Sequence, residues 1–187
     1  MSERRQAALW VSILSIIIAL IVWHVIDWHS RGMYLEMFQW FLTGEGYIRG
    51  VTKSDVKVLR EYCLSGGMLF AAAGSSRFDR YFRRFIAGGF PDKRLVDIPD
   101  DDPIFQMPYV FPHGSPPLWH HGGRKARGIK HRGRWCVFYH PGDLNDAWKT
   151  GHSGLRPELA RASYQMGVNV VYYAITNYLA MTRRERK

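Results

Sequence analysis

The sequence is poor in two things that would narrow its chemistry. It has only two cysteines, Cys63 and Cys136, in 187 residues. Their separation fits neither a zinc site nor a redox pair, which leaves two buried thiols or one disulfide. Acidic residues are also scarce, 16 against 26 lysines and arginines, for a net charge of +10. From Arg31 onward the count is 24 basic and 14 acidic, so the whole excess belongs to the part beyond the N-terminal segment. Such a field favours an anionic lipid surface or an acidic protein partner. No recognised nucleic-acid motif accompanies it, which argues against nucleic acid as the partner.

Charge is missing altogether from one long stretch. Ala7 to Ile26 reads AALWVSILSIIIALIVWHVI, interrupted only by Ser12, Ser15 and His24. As a helix at ~1.5 Å per residue it would span about 30 Å, the thickness of a bilayer's hydrocarbon core. Trp10 stands near one end, with Trp23 and Trp28 near the other, where indole rings anchor to membrane interfaces. No small-x-small cleavage site follows the run, so an uncleaved single-pass anchor is expected rather than a signal peptide. Arg4 and Arg5 precede it and only Arg31 follows closely, which places the N-terminus in the cytoplasm and the domain in the periplasm of a bacterial inner membrane. The expected organisation is a cytoplasmic arm at 1–6, a transmembrane helix at 7–26, a juxtamembrane connection at 27–36, an α/β domain at 37–182 and a solvated basic tail at 183–187.

Beyond the span, strand and helix patterns alternate. Met33 to Leu42 is aromatic-rich and stops at Gly44-Glu45-Gly46, the pattern of a strand and turn. Ser54 is a helix-cap candidate, followed by Val56, Leu59, Tyr62 and Cys63 at helical spacing up to Gly66-Gly67. Met68 to Gly74 is a continuous apolar run, as in strands buried on both faces. Arg77 to Ile86 puts Phe78, Tyr81, Phe82 and Phe85 on one side of a second helix. Pro91 to Gly133 is too rich in Pro, Gly and charge for a simple connection and reads as a long functional or contact loop. Arg134 to His140 is the last clear strand, and a long helix begins near Pro157, a residue suited to a helix's first turn. The alternation predicts a three-layer α/β domain with a mainly parallel sheet.

Three stretches carry a family resemblance: EMFQWFLTGEGYIRGVTKSDVKVLREYCLSGGMLFAA, FDRYFRRFIAGGFPDKRLVDIPDDDPIF and GRWCVFYHPGDLNDAW. In this order they resemble the bacterial domain of unknown function 4159, over roughly Met37 to Tyr178. The resemblance implies a flavodoxin-like fold related to the class I glutamine amidotransferases and the trehalose-utilisation protein A group, and no agreed activity. Two departures stand out. Family members generally carry further strand-helix units ahead of Phe38 to Gly46, so the sheet is expected to be shortened. Where many members end a strand in acidic residues this chain has Ala71-Ala72-Ala73, and a carboxylate is lost from the sheet edge where α/β proteins bind ligands. A glutaminase-like site would also need a cysteine on the turn after that strand, and Gly74-Ser75-Ser76 stands there instead. Ser75 or Ser76 with His140 as base is the residual nucleophile pair, but a serine immediately before Arg77 is better explained as a helix cap.

The short stretch LWHHGG, Leu118 to Gly123, raises a metal question. Zinc has ligand candidates in His113, His120, His121, His140, Asp143, Asp146 and His152. Adjacent histidines on an extended chain point to opposite faces, so His120 and His121 are poor partners for one metal. Asp143 and Asn145 can bond nearby amides, Pro141-Gly142 makes a turn, and Trp119 and Trp148 can cover apolar surface, so loop structure accounts for most of these residues. His24, within the apolar run, is a candidate ligand for the magnesium of a chlorophyll-type pigment. Its alternative place is the headgroup layer, with only two residues between it and Asp27.

These readings converge on a non-catalytic, membrane-anchored accessory subunit that stabilises a larger membrane complex. The most specific version is a bacterial photosynthetic reaction-centre or light-harvesting complex, with bacteriochlorophyll or carotenoid touching the membrane helix. Trp119, Arg124, Lys125, Arg127 and Trp148 are the expected contacts with partner subunits, since aromatic and Arg-rich surfaces favour interfaces. The alternative is a degenerate amidotransferase-like enzyme, or a periplasmic domain binding a small ligand or metal.

Overall fold

The computed structural model describes residues 41–44, 46–48, 50–118, 125–148 and 154–185. The expected span at 7–26, with Trp10, Trp23, His24 and Trp28, lies outside the described residues, as do Trp119, His120, His121, Arg124 and His152. Among the described residues no helix is long and apolar enough to cross a membrane.

Five strands form one sheet in the order β1-β2-β5-β4-β3. They are β1 (Phe41–Gly44), β2 (Leu69–Ala73), β3 (Val96–Asp97), β4 (Arg127–His131) and β5 (Arg134–His140). β1, β2 and β5 run parallel, while β4 pairs antiparallel with β5 and β3 antiparallel with β4. The sheet is therefore mixed, with three parallel strands beside two joined antiparallel. Half of it is a hairpin closed by Arg132 and Gly133, whose φ values of 48° and 81° are those of a two-residue turn that matches strand twist. This hairpin and β3 correct the expectation of one long loop from Pro91 to Gly133.

Among the described residues four α-helices accompany the sheet: α1 (Lys53–Leu64), α2 (Ser76–Gly89), α3 (Leu144–Ala147) and α4 (Pro157–Glu185). Thr52, not Ser54, caps α1. Its hydroxyl accepts from the Asp55 amide while the Asp55 carboxylate accepts from the Thr52 amide at 2.8 Å, a reciprocal box that Ser54 has no residue to complete. Ser75 caps α2 by accepting from the Phe78 amide at 3.1 Å. α4 begins at Pro157 and runs to Glu185, three residues into the expected tail.

The alternation of strand side chains divides the core. Leu69, Ala71, Ala73, Val137 and Tyr139 pack with α1 and α2, where the Phe82 and Tyr139 rings stack at 4.3 Å. Phe138 turns the other way, toward Met166, Val170 and Tyr173 of α4, and so does Trp135, which an irregularity in the pairing of β5 with β4 puts out of phase with Val137. Gly128 is obligatory on β4, because a Cβ there would meet the Trp135 ring at 2.5 Å and the Val137 carbonyl at 2.7 Å. The Trp135 ring occupies that space, and its indole N–H donates to Asp102 at 2.8 Å, which ties the connection after β3 to the core.

Cys63 and Cys136 are both buried and free. Burial first pushes the Cys63 thiol well above its ordinary range and raises that of Cys136, and Cys136 adds to the effect on Cys63. A thiol-specific disulfide reagent is expected to modify neither in the folded protein at mildly alkaline pH and both after unfolding in denaturant. Rapid reaction of either before unfolding would contradict this packing.

Candidate functional site

In a parallel sheet, ligands approach the carboxyl ends of the strands, beyond Gly44, Gly74 and His140 in this chain. The sequence delivers polar groups to that edge: Ser75 after β2, then His140 and Asp143 after β5. Each is engaged locally. The Ser75 hydroxyl holds the first turn of α2. The buried His140 ring accepts the Gly142 amide on Nδ1 at 3.0 Å, closing the Pro141-Gly142 turn. Asp143 Oδ1 accepts the Asp146 amide at 2.9 Å, capping α3.

The edge is also tightly closed. Gly74 donates its amide to the Gly44 carbonyl at 3.0 Å. A Cβ on Gly74 would lie 2.9 Å from that carbonyl oxygen and 3.1 Å from Asp143 Oδ2, so the three chain segments leave no space for even a methyl group. Asp143→Ala is accordingly expected to lower stability by about 1 kcal/mol through loss of the cap, read by thermal unfolding, and to leave partner association unchanged.

Of the metal candidates, His113, His140, Asp143 and Asp146 are described. Among the described residues no three His, Cys, Asp or Glu side chains come together. His113 lies apart from His140, on the rim of an open groove of about 600 Å³ between Phe111–Pro117 and the start of α4.

Of the expected partner contacts, Lys125, Arg127 and Trp148 are described, and each also bonds within the chain. Lys125 pairs with Asp100 at 3.1 Å, and Arg127 with Asp97 at 2.8 Å across β3 and β4. Trp148 meets Phe70 edge-to-face, donates its indole N–H to the Ser163 carbonyl at 3.0 Å, and leaves room at position 167 only for glycine. It fastens α3 to α4.

Buried polar residues that sequence reasoning did not single out do much of the organising. Tyr139 donates to Asp79 at 2.6 Å, and Arg83 donates to the same carboxylate oxygen at 2.8 Å. Burial and then the Asp79 charge push the Tyr139 hydroxyl far above the usual tyrosine range. Arg134, 6% exposed, donates to the Cys63 and Gly67 carbonyls at the end of α1. Asp102 precedes a proline, a recognisable turn-starter, and Asn169 is an amide flanked by valines in an apolar stretch of helix. Those were the available signals.

Among the described residues α4 turns an apolar face to solvent. From Ala162 to Thr182 no residue carries a charge. One face (Ser163, Met166, Asn169, Val170, Tyr173) is buried in the domain. On the opposite face Tyr164, Val168, Val171, Tyr172 and Leu179 are exposed, with Val168 at 47% and Leu179 at 46%. With half-buried Ile175 they recur at i, i+4, i+7, i+8, i+11 and i+15, a continuous apolar stripe. Arg161 and Arg183 stand exposed at its two ends.

A family model described as a domain of unknown function, DUF4159, matches residues 38–175, and the chain belongs to that family. No curated protein matches it.

Proposed function

We propose that this DUF4159 member is a membrane-anchored, non-catalytic accessory subunit whose domain docks onto and stabilises a larger membrane complex. The observation that carries this reading is the α4 stripe: an uncharged, aromatic and β-branched face turned to solvent on a chain of net charge +10. Contiguous apolar surface of this kind marks interaction sites. The terminal arginines suit a partner surface with acidic residues flanking an apolar centre. Two further features support the reading: the polar groups at the sheet's carboxyl edge are committed to caps and turns, and Ala7 to Ile26 has the length and composition of an anchor. We further propose that the domain is a shortened flavodoxin-like relative of the amidotransferases. The specific assembly we propose is a bacterial photosynthetic reaction-centre or light-harvesting complex, for which Trp10, Trp23 and His24 in the apolar run are the support.

The test is to purify the tagged protein from its native membrane in mild detergent, with mass spectrometry and an absorption spectrum of what accompanies it. A stoichiometric complex is expected, with near-infrared pigment bands if the assembly is photosynthetic. A folded protein recovered alone would overturn the accessory reading, and a complex without pigment would overturn the photosynthetic one.

A further inference from the structure

A second surface, distinct from the α4 stripe, has the chemistry of an anion site. The last turns of α2 and the loop that follows enclose a cleft of about 350 Å³ lined by Arg83, Ile86, Ala87, Lys93, Arg94 and Leu95. The lining divides into two kinds. Ile86, Ala87 and Leu95 are apolar, while Arg83, Lys93 and Arg94 supply three cations.

Carboxylates do not balance those cations. Arg83 is held by Asp79 at 2.8 Å. Lys93 is only 20% exposed, and its nearest carboxylate, Asp92, is 3.7 Å away and already paired with Arg60 at 2.7 Å. Among the described residues no carboxylate lies within ion-pair distance of Arg94. Cations near a helix C-terminus are ordinary, because they complement the helix dipole. Here the excess continues past the helix to His131 and Arg132 at the tip of the β4-β5 hairpin. The His131 ring shows the resulting field: after burial, Lys93, Arg132 and Arg134 hold its proton affinity below the usual range, against a smaller opposing effect of Asp92.

We propose that this cleft binds a phosphate-bearing anion, and specifically the headgroup of an anionic phospholipid. Lys93 and Arg94 would contact the phosphate, and Ile86, Ala87 and Leu95 the first carbons of an acyl chain. Free phosphate shares the headgroup chemistry but makes no use of the apolar wall. The choice of lipid rests on the membrane-anchored reading above, and the cation cleft does not.

The experiment is a binding titration of the full chain in non-ionic detergent with short-chain phosphatidylglycerol, short-chain phosphatidylcholine and inorganic phosphate, at low and high salt. Phosphatidylglycerol is expected to bind most tightly and to weaken with salt. Lys93→Glu with Arg94→Glu should lose about tenfold or more in affinity for it, two cations near the headgroup being removed and reversed. Arg77→Glu with Arg80→Glu, the same charge change at two exposed positions of α2, should change it little. The milder pair Lys93→Gln with Arg94→Gln covers the case in which the reversed pair fails to fold. Equal affinity for the two lipids, or unaltered binding by both cleft variants, would overturn the site. Inorganic phosphate binding as tightly as phosphatidylglycerol would overturn the lipid assignment. Recovery of the protein without partners from native membranes would overturn the accessory reading and leave this result standing.

Discussion

Asn169→Leu is expected to lower the stability of the purified chain by about 3 kcal/mol, on the order of 6–12 °C in melting temperature for a chain of this size. Asn169 is fully buried in α4, and its amide acts as a strap. Oδ1 accepts the Tyr109 amide at 3.0 Å, and Nδ2 donates to the Ile104 and Tyr109 carbonyls at 3.0 and 2.7 Å. Leucine has the same branched outline and the same number of side-chain heavy atoms but bulkier methyl ends, so no cavity is created and the tighter fit adds to the loss. What is lost is partnership for three backbone groups, of which the Ile104 carbonyl is buried beside Phe105. Leaving a buried backbone group unsatisfied costs about 1–3 kcal/mol. Asn169→Asp would be no rescue, because it keeps the acceptor, removes both donors and buries a carboxylate. Circular dichroism melting, together with limited proteolysis across Ile104 to Phe111, reads the effect. A melting temperature within a degree or two of wild type, with the segment still protected, would show that the strap contributes nothing.

Particular elements show what the sequence disclosed and what it withheld. β5 was readable to the residue because RWCVFYH is a β-rich apolar run whose side chains are all buried. The start of α4 was readable because Pro157 has only one comfortable place in a helix, the first turn. The hairpin partner of β5 was not. Arg127 to His131 has two strongly basic residues in five, and its turn is Arg-Gly rather than Asn-Gly or Asp-Gly. Its strand identity comes from Gly128 lying under Trp135 and from pairing with β5, which are tertiary facts. The same limit applied at the sheet's carboxyl edge. His140 and Asp143 were found there from sequence. That they serve a turn and a cap depends on distances to Gly142, Asp146 and Gly74 that no pattern of residue types specifies.

The second large expected effect is on association. Val168→Glu with Val171→Glu should leave the fold intact and remove the protein from its assembly. Both valines are at least 40% exposed, so the carboxylates remain hydrated in the isolated domain, and its melting temperature should stay close to that of wild type. In a docked state the same positions lie at the centre of the stripe. Each carboxylate would then give up water without a compensating cation, since Arg161 and Arg183 stand at the ends of the stripe. Such desolvation costs several kcal/mol, and each 1.4 kcal/mol is tenfold, so affinity should fall by about a hundredfold or more. Quantifying the variant against wild type in complexes drawn from native membranes is the measurement. Recovery at wild-type stoichiometry would sink the proposal that α4 is the docking face. Loss of both folding and association would not support it, and the single Leu179→Ser change at 46% exposure then separates the two effects. The comparison with Asp143→Ala completes the argument: a subunit that works by contact loses function with Val168 and Val171 and keeps it without Asp143, whereas a ligand-binding domain shows the reverse.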